Sequence, residues 1–332
     1  MTEISLKSTL GALEHISDAY LKRAPLEQAR ATASQWRPRN GLWQKSQKLA
    51  GHLPGLSLDC VSVDGHELHY WRLGSGNGTP IVLVHGFGAS KENWISLIPA
   101  LAGRNQPVLV LDLPGFGASG YRYGARYTYL HQAQRLAHWS RKLDLPPAHW
   151  VGSSMGGAIC ATLAARHPES VAAITLMNAA GVGSTQPSAL EEELLKGKNP
   201  LIPENSAEVQ RLFRMTTHRG SQIFSRLMAP ALRREMIHRA PVNQLLFADM
   251  LQPEIRVPEL LAQVTAPAQV LWGARDQVVD LSGGKVYAKL LPRARLDILA
   301  DIGHLPMLEA PLQTARRIRA FRREHRVATH QV

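Results

Sequence analysis

The chain has 332 residues, a net charge of +12, 45% hydrophobic residues and 19% charged residues, a composition that excludes a disordered chain and suits one large domain or a domain carrying an inserted subdomain. No segment approaches the ~20 apolar residues of a membrane span, and the N-terminus "MTEISLKSTLGALEHISDAYLKRAP" has no run of secretion-signal length. Cys60 and Cys160 stand far apart and outside any CxxC pair, so neither a zinc site nor a redox motif is expected.

In chain order, residues 1–52 read as helical and amphipathic, with Leu10, Leu13, Ile16, Tyr20 and Leu21 spaced near the helical period, and Trp36 and Trp43 flank a break at "RPRNG". Strands begin near Leu56: "LSLDCVSV" and "HELHYWRLG" flank Asp64-Gly65, a two-residue hairpin loop. The apolar runs "PIVLVHG", "PVLVLDLPG", "AHWVGSS", "VAAITLMNAAG", "AQVLWGARD" and "ARLDILAD" follow, and helical segments near 91–102 and 127–143 alternate with the first of them. Continuous apolar strands alternating with helices imply a parallel sheet covered on both faces. Between Gly183 and about Pro258 that rhythm stops; short helical patterns rich in Leu, Met and Phe read as a helical cap, too long for a plain loop. A helix from Leu312 onward closes the fold. The expected division is a basic helical segment (1–52), an α/β core (53–183 and 259–325), a cap (184–258) and a tail (326–332).

The charge is concentrated at the ends. Residues 1–55 carry eight Lys or Arg against four acids, and residues 311–332 carry six against one. The simplest reading is a solvated helix face and a loose tail; peripheral contact with an anionic membrane is also compatible, as is a homodimer through residues 1–52. No nucleic-acid partner is expected, and the expected location is the cytoplasm, with contact at the inner membrane face as the alternative.

The segment "VGSSMGG" holds two adjacent serines between a strand and a helix. It fits G-x-S-x-G in the strand–turn–helix context that pattern requires. On such a sharp turn the residues two before and two after the nucleophile approach closely, so both must be glycine. Gly152 and Gly156 stand there only if the nucleophile is Ser154; for Ser153 the places would fall to Val151 and Met155. The competing reading is a helix-capping serine after a glycine turn.

A serine hydroxyl needs a base, and the base an orienting acid. In this architecture the order is Ser, then Asp or Glu, then His. Asp276 follows the strand in "VLWGARDQVV", and His304 follows the last strand in "LDILADIGHLPMLEAP". Both fall at strand carboxyl ends, where open α/β sheets place their ligands. Asp280, Asp301, His149 and His167 are weaker competitors by position. Two backbone N–H groups should form an oxyanion hole: that of Met155, and that of Phe87 in the loop His85-Gly86-Phe87-Gly88, whose small residues let it pass near Ser154. His85 reads as a loop-shaping histidine, and Asp112 and Ser119 in "DLPGFGAS" as structural, since that stretch does not complete G-x-G-x-x-G before a helix.

Taken together, "VLVHGFGASKENW", "VLDLPGFGAS", "GSSMGG", "NAAGV", "LWGARDQVV" and "IGHLPMLEAP" resemble the α/β-hydrolase superfamily over residues 56 to 325. "GSSMGG" with "KNPL" early in the cap is similar to the bacterial lipase/esterase group that includes monoacylglycerol lipases and lysophospholipases. The resemblance implies a Ser–His–Asp mechanism at Ser154, His304 and Asp276, and no cofactor or metal. Related dehalogenases and epoxide hydrolases carry aspartate at the nucleophile position, where this chain has Ser154. Membrane-bound relatives carry an apolar N-terminal anchor, where this chain has a basic amphipathic stretch. The expected activity is hydrolysis of apolar acyl esters such as medium-chain esters, monoacylglycerols or lysophospholipids. The alternatives are carbon–carbon bond hydrolysis of a vinylogous diketone by the same triad, and a catalytically silent binding protein on the same fold.

Overall fold

The computed structural model describes residues 5–38, 55–103, 105–218, 230–325 and 327. Trp43, residues 219–229 of the expected cap and most of the expected tail therefore lie outside the described residues. Two helices, α1 (Leu6–Leu21) and α2 (Leu26–Ser34), precede an eight-stranded sheet. The strands are β1 (Leu56–Val63), β2 (His66–Leu73), β3 (Ile81–Val84), β4 (Val108–Leu111), β5 (Ala148–Ser153), β6 (Val171–Met177), β7 (Ala268–Gly273) and β8 (Ala294–Leu299). Their order in the sheet is β1-β2-β4-β3-β5-β6-β7-β8, with β2 antiparallel to both β1 and β4 and every other pairing parallel.

β1 and β2 lie where the hairpin strands were expected, and β3 to β8 where the apolar runs were. The β1–β2 turn places Asp64 at φ 49° and Gly65 at φ 76°, both positive as a tight two-residue hairpin of this hand requires. The central strands are buried on both faces. In β3, Val82 and Val84 join one core cluster while Ile81 and Leu83 join the other. In β5, Trp150 and Val151 divide in the same way. That two-sided burial explains the continuous apolar runs. Helices α3 (Tyr129–Lys142) and α4 (Met155–Arg166) pack on each other and on the sheet. After β6 come the cap helices α5 (Ala189–Leu195), α6 (Ser206–Thr216), α7 (Pro230–His238) and α8 (Ala240–Leu251); no strand lies among the described residues of 184–258. The chain returns to the sheet through β7, α9 (Leu281–Leu290) and β8, and ends on α10 (Pro311–Glu324).

Helix α1 meets the entry to the cap. Thr9 Oγ1 accepts the Gly183 N–H at 2.6 Å and donates to the Gly183 carbonyl at 3.1 Å. Helix α2 packs along α8, and Tyr20 sets its ring edge-on against Phe247 with centroids 5.3 Å apart. The apolar face of α1 therefore rests on the protein: Tyr20 is buried, and Ile16 and Leu21 pack against the main core.

A buried polar ladder crosses the sheet. Arg322 Nη1 donates to His149 Nδ1 at 3.1 Å, and His149 Nε2 donates to Thr175 Oγ1 at 2.8 Å. The Thr175 hydroxyl donates to Gln269 Oε1 at 3.0 Å, and Gln269 Nε2 to Asp297 Oδ2 at 2.6 Å. Only the neutral tautomer of His149 with its proton on Nε2 fits this order, because a guanidinium cannot accept. Arg322, counted by sequence among the basic residues of a solvated end, is a buried rung that also donates to the Thr79 carbonyl at 3.0 Å.

Candidate active site

Ser154 sits between the last residue of β5 and the first of α4, with φ 53° and ψ −118°. L-residues rarely adopt that backbone conformation, so surrounding contacts must hold it. They do: the Ser154 N–H donates to the Met177 carbonyl at 2.9 Å, and its own carbonyl accepts from Gly157 at 2.9 Å and Ala180 at 3.0 Å. The glycines around it are dictated by space. A Cβ on Gly152 would lie 2.2 Å from the Gly156 carbonyl oxygen, and one on Gly156 would lie 2.3 Å from that of Val84. The Ser154 side chain makes no helix-capping hydrogen bond, so the capping alternative has no counterpart here. Ser153 ends β5 with its hydroxyl buried and unpartnered.

His304 and Asp276 meet although 28 residues separate them: Nδ1 lies 2.8 Å from Oδ2. Asp276 stands in the turn after β7 and His304 in the loop after β8, so two adjacent parallel strands deliver them to one end of the sheet. The carboxylate is fully engaged. Oδ1 accepts the N–H groups of Val278 at 2.7 Å and Val279 at 3.1 Å, and Oδ2 also accepts Asn178 Nδ2 at 2.5 Å. An acceptor-only pattern of this kind suits an ionised carboxylate, which fixes the histidine proton on Nδ1 and leaves Nε2 as the basic nitrogen. The His304 loop is tied to the cap by its own N–H, which donates to the Thr216 carbonyl at 3.0 Å. The competing residues stand apart from this group. Asp280 caps α9 by accepting from Ser282 N at 2.8 Å, Asp301 lies exposed in the turn after β8, His149 is the buried rung described above, and His167 ends α4.

The loop after β3 crosses in front of Ser154. A Cβ on Gly86 would lie 3.2 Å from the Ser154 Cβ, and Gly88 has φ 67°. His85, fully buried, donates from Nδ1 to the Gly86 carbonyl at 2.8 Å and accepts the Leu113 N–H on Nε2 at 3.0 Å. Burial holds its pKa below the ordinary value, so it stays neutral with both nitrogens occupied. Asp112 anchors the loop's far end. Its carboxylate accepts the Lys91 N–H and Lys91 Nζ, both at 2.8 Å, and the Ala118 N–H at 2.9 Å. Ser119 donates to the Asp112 carbonyl at 2.7 Å. Phe87 is held edge-on between Phe116 and Phe247, at 5.7 and 5.3 Å. Met155, the first residue of α4, is buried.

Ser154, His304 and Gly86 line one cavity of about 640 Å³ under the cap. Leu201, Leu212, Phe213, Leu305 and Leu308 give it apolar walls. The structure adds three residues with no site assignment from sequence. Asn178 bridges Asp276 and the Gly303 carbonyl, Arg239 lines the cavity from the α7–α8 junction, and Trp36 lines it from the N-terminal segment. Asn178 stands at the carboxyl end of β6 in "NAAG", so its position in the chain was a signal. Nothing local marked Arg239 or Trp36. Among the described residues no group of three or more His, Cys, Asp or Glu side chains gathers as a metal site would require.

A family model described as the alpha/beta hydrolase fold matches residues 79–241. A solved membrane phospholipase A, described as a bacterial virulence factor, is 34% identical, superposes with a TM-score of 0.78 and covers 86% of this chain and 91% of its own. Lipase 1 of Psychrobacter immobilis is 28% identical over 268 residues, 78% of this chain and 82% of that protein. A monoacylglycerol lipase of Xenopus laevis is 28% identical over 284 residues, 80% and 82% of the two chains. With its sheet order, its strained serine turn and its His304–Asp276 pair, the chain belongs to the α/β-hydrolase family and is a hydrolase.

Proposed function

We propose that this enzyme is a serine carboxylic-ester hydrolase acting on apolar acyl esters. In this reading Ser154 attacks the ester carbonyl as His304 Nε2 takes its proton. Asp276 holds the imidazole in the required tautomer and stabilises its cationic form. The backbone N–H groups of Phe87 and Met155 receive the oxyanion. His304 then protonates the leaving alcohol, and it next activates a water that attacks the acyl-enzyme, releasing the carboxylic acid and returning the proton to Ser154 Oγ.

The observation that carries the reading is the pairing of His304 with a fully engaged Asp276, in a cavity that also holds Ser154 in its strained turn. The apolar walls favour an acyl chain over a polar substituent, and the lipid-ester names of the relatives point the same way. The decisive experiment is labelling by a fluorophosphonate, followed by turnover of 4-nitrophenyl esters of increasing chain length. The native chain should label and the Ser154→Ala variant should not, with kcat falling by about 10⁴ or more. Equal labelling of the two removes Ser154 as nucleophile. Turnover of a vinylogous diketone without any ester turnover favours carbon–carbon cleavage.

Among the described residues no helix is long and apolar enough to cross a membrane. We place the enzyme in the cytoplasm; peripheral contact at an anionic membrane through its basic ends is the alternative. Binding to anionic vesicles that is the same at low and high salt removes the electrostatic contact.

A further inference from the structure

The cavity wall formed by α7 and α8 is not uniformly apolar. Leu232, Glu235, Met236, Arg239 and Asn243 all line it. Their spacing places them along one helical face running through the α7–α8 junction. The apolar members come early on that face, and the polar pair Arg239 and Asn243 comes last.

Arg239 is held on two sides. Its guanidinium stacks over the Trp36 ring at 5.3 Å, and its Nη2 donates to the Gly115 carbonyl. The Trp36 indole is fixed in turn, its Nε1 donating to the His238 carbonyl at 3.1 Å and its ring stacking on His238. Yet among the described residues no carboxylate forms an ion pair with Arg239. Glu235, one turn earlier on the same wall, and Asp112 attract the guanidinium electrostatically but neither reaches it as an ion pair. The other cation of the cavity, Lys91, is already bound to Asp112 at 2.8 Å. Asn243 is 4% exposed and its Oδ1 has no hydrogen-bond partner. A fixed guanidinium with no carboxylate in contact, on the same helical face as a buried unpaired amide oxygen, leaves one acceptor and one donor to be supplied from the cavity.

We propose that Arg239, braced by Trp36 and followed one turn later by Asn243, forms a subsite that receives an anionic group, carboxylate or phosphate, carried by the ester substrate. The inference rests on the ester-hydrolase reading and narrows it to amphiphilic esters. The acyl chain lies along Leu212, Phe213 and Leu308, the scissile carbonyl lies at Ser154, and the charged end reaches Arg239. A hydroxyl near that charged end would donate to Asn243 Oδ1.

The test compares matched substrates in the native chain and in Arg239→Gln and Arg239→Lys. One pair is 4-nitrophenyl butyrate against mono-4-nitrophenyl glutarate; the other is a monoacylglycerol against its phosphate monoester. The readout is the ratio of kcat/KM for the anionic member to that for the neutral member. Arg239→Gln should lower this ratio by about tenfold or more, and Arg239→Lys should restore part of it. A loss confined to the carboxylate pair or to the phosphate pair identifies which anion the subsite takes. A ratio unchanged in both pairs overturns the proposal, while absence of any ester turnover by the native chain overturns the ester reading instead. A measurement on the native chain guards against variants that fail to fold. Hexyl phosphate or hexanoate should compete with 4-nitrophenyl butyrate at lower concentration than hexanol, and equal inhibition by all three also overturns the subsite.

Discussion

Asn178 and His304 share one oxygen of Asp276. Asn178 Nδ2 reaches Oδ2 at 2.5 Å, and His304 Nδ1 reaches the same atom at 2.8 Å. The orientation of the Asn178 amide is set by its other bonds: Nδ2 also donates to the Gly303 carbonyl at 3.2 Å, and Oδ1 accepts the Gly273 N–H at 3.2 Å. One buried side chain thus ties the end of β7, the acid and the histidine loop together. Its φ of 47° lies in the left-handed region, which asparagine tolerates better than most residues.

Removing that amide while keeping the backbone conformation isolates its contribution. Asn178→Gly keeps the positive φ without strain and deletes both donors to Asp276 and Gly303. Its kcat should fall by about tenfold with KM little changed, because a charge-assisted hydrogen bond that orients the acid is lost while the acyl walls stay in place. An unchanged kcat in a folded variant would show that the backbone N–H groups of Val278 and Val279 suffice to hold Asp276.

Glycine substitutions should divide sharply by the space around them. At Gly156 a methyl would lie 2.3 Å from the Val84 carbonyl oxygen and 2.6 Å from that of His85, with only backbone nearby and no flexible side chain to move. Gly156→Ala should cost more than about 2 kcal/mol and misplace the serine turn. Gly11, inside α1, has no positive φ, and a methyl added there would meet nothing within 4 Å. Gly11→Ala should instead stabilise by about 0.5–1 kcal/mol through helix propensity. Urea midpoints of the two variants check both signs, and a neutral Gly156→Ala would defeat the steric account of the turn.

The parts of the site legible in the sequence are those imposed by local geometry. Ser154 could be separated from Ser153 because close backbone approach requires glycine two residues on either side, and only one serine has both. That Asp276 and His304 would meet could be anticipated because a parallel sheet delivers strand ends to one edge, so order and position constrain them. What could not be read depends on contacts between distant segments. Trp36 looked like the flank of a break, yet its indole binds the carbonyl of His238, 202 residues away. His149 looked like a strand start, and Arg322 like one more surface charge; the ladder that joins them exists only when α10 folds onto the sheet. Periodicity reports which face of an element is apolar. It does not report which polar side chains will meet beneath another element.

Several buried histidines make the fold sensitive to acid. His149 titrates well below its ordinary value of 6.5 because it is buried and then because Arg322 adjoins it. His66 is lowered to about 4 by burial, with Arg135 and Arg122 adding to the effect. In each case the unfolded chain binds a proton near 6.5 that the folded chain refuses. Their contribution is therefore fully present above pH 6.5 and is lost as pH falls below it, for His66 until about 4, at up to about 1.4 kcal/mol per pH unit for each histidine. Urea midpoints should be level between pH 7 and 8 and drop steadily below about 6.5. His149→Gln should flatten that slope whatever it does to stability at pH 7. A slope identical to that of the native chain removes His149 from the account.

The N-terminal helices reach the oxyanion loop through an aromatic chain. Tyr20 of α1 meets Phe247 of α8 at 5.3 Å, and Phe247 meets Phe87 at 5.3 Å, each edge-on. Phe87 supplies one of the two proposed oxyanion donors, so the position of that N–H depends on how firmly its ring is held. Tyr20→Ala would open space behind Phe247 and loosen Phe87 without touching the substrate. Loss of the buried ring should cost about 3 kcal/mol or more in stability. In the folded fraction kcat should fall severalfold while KM for a short 4-nitrophenyl ester stays near its native value, since the oxyanion contact strengthens only in the transition state. Tyr20→Phe keeps the ring and should keep kcat. If Tyr20→Ala instead raises KM and leaves kcat unchanged, α1 shapes the cavity rather than the oxyanion hole, and the aromatic chain carries no positioning role.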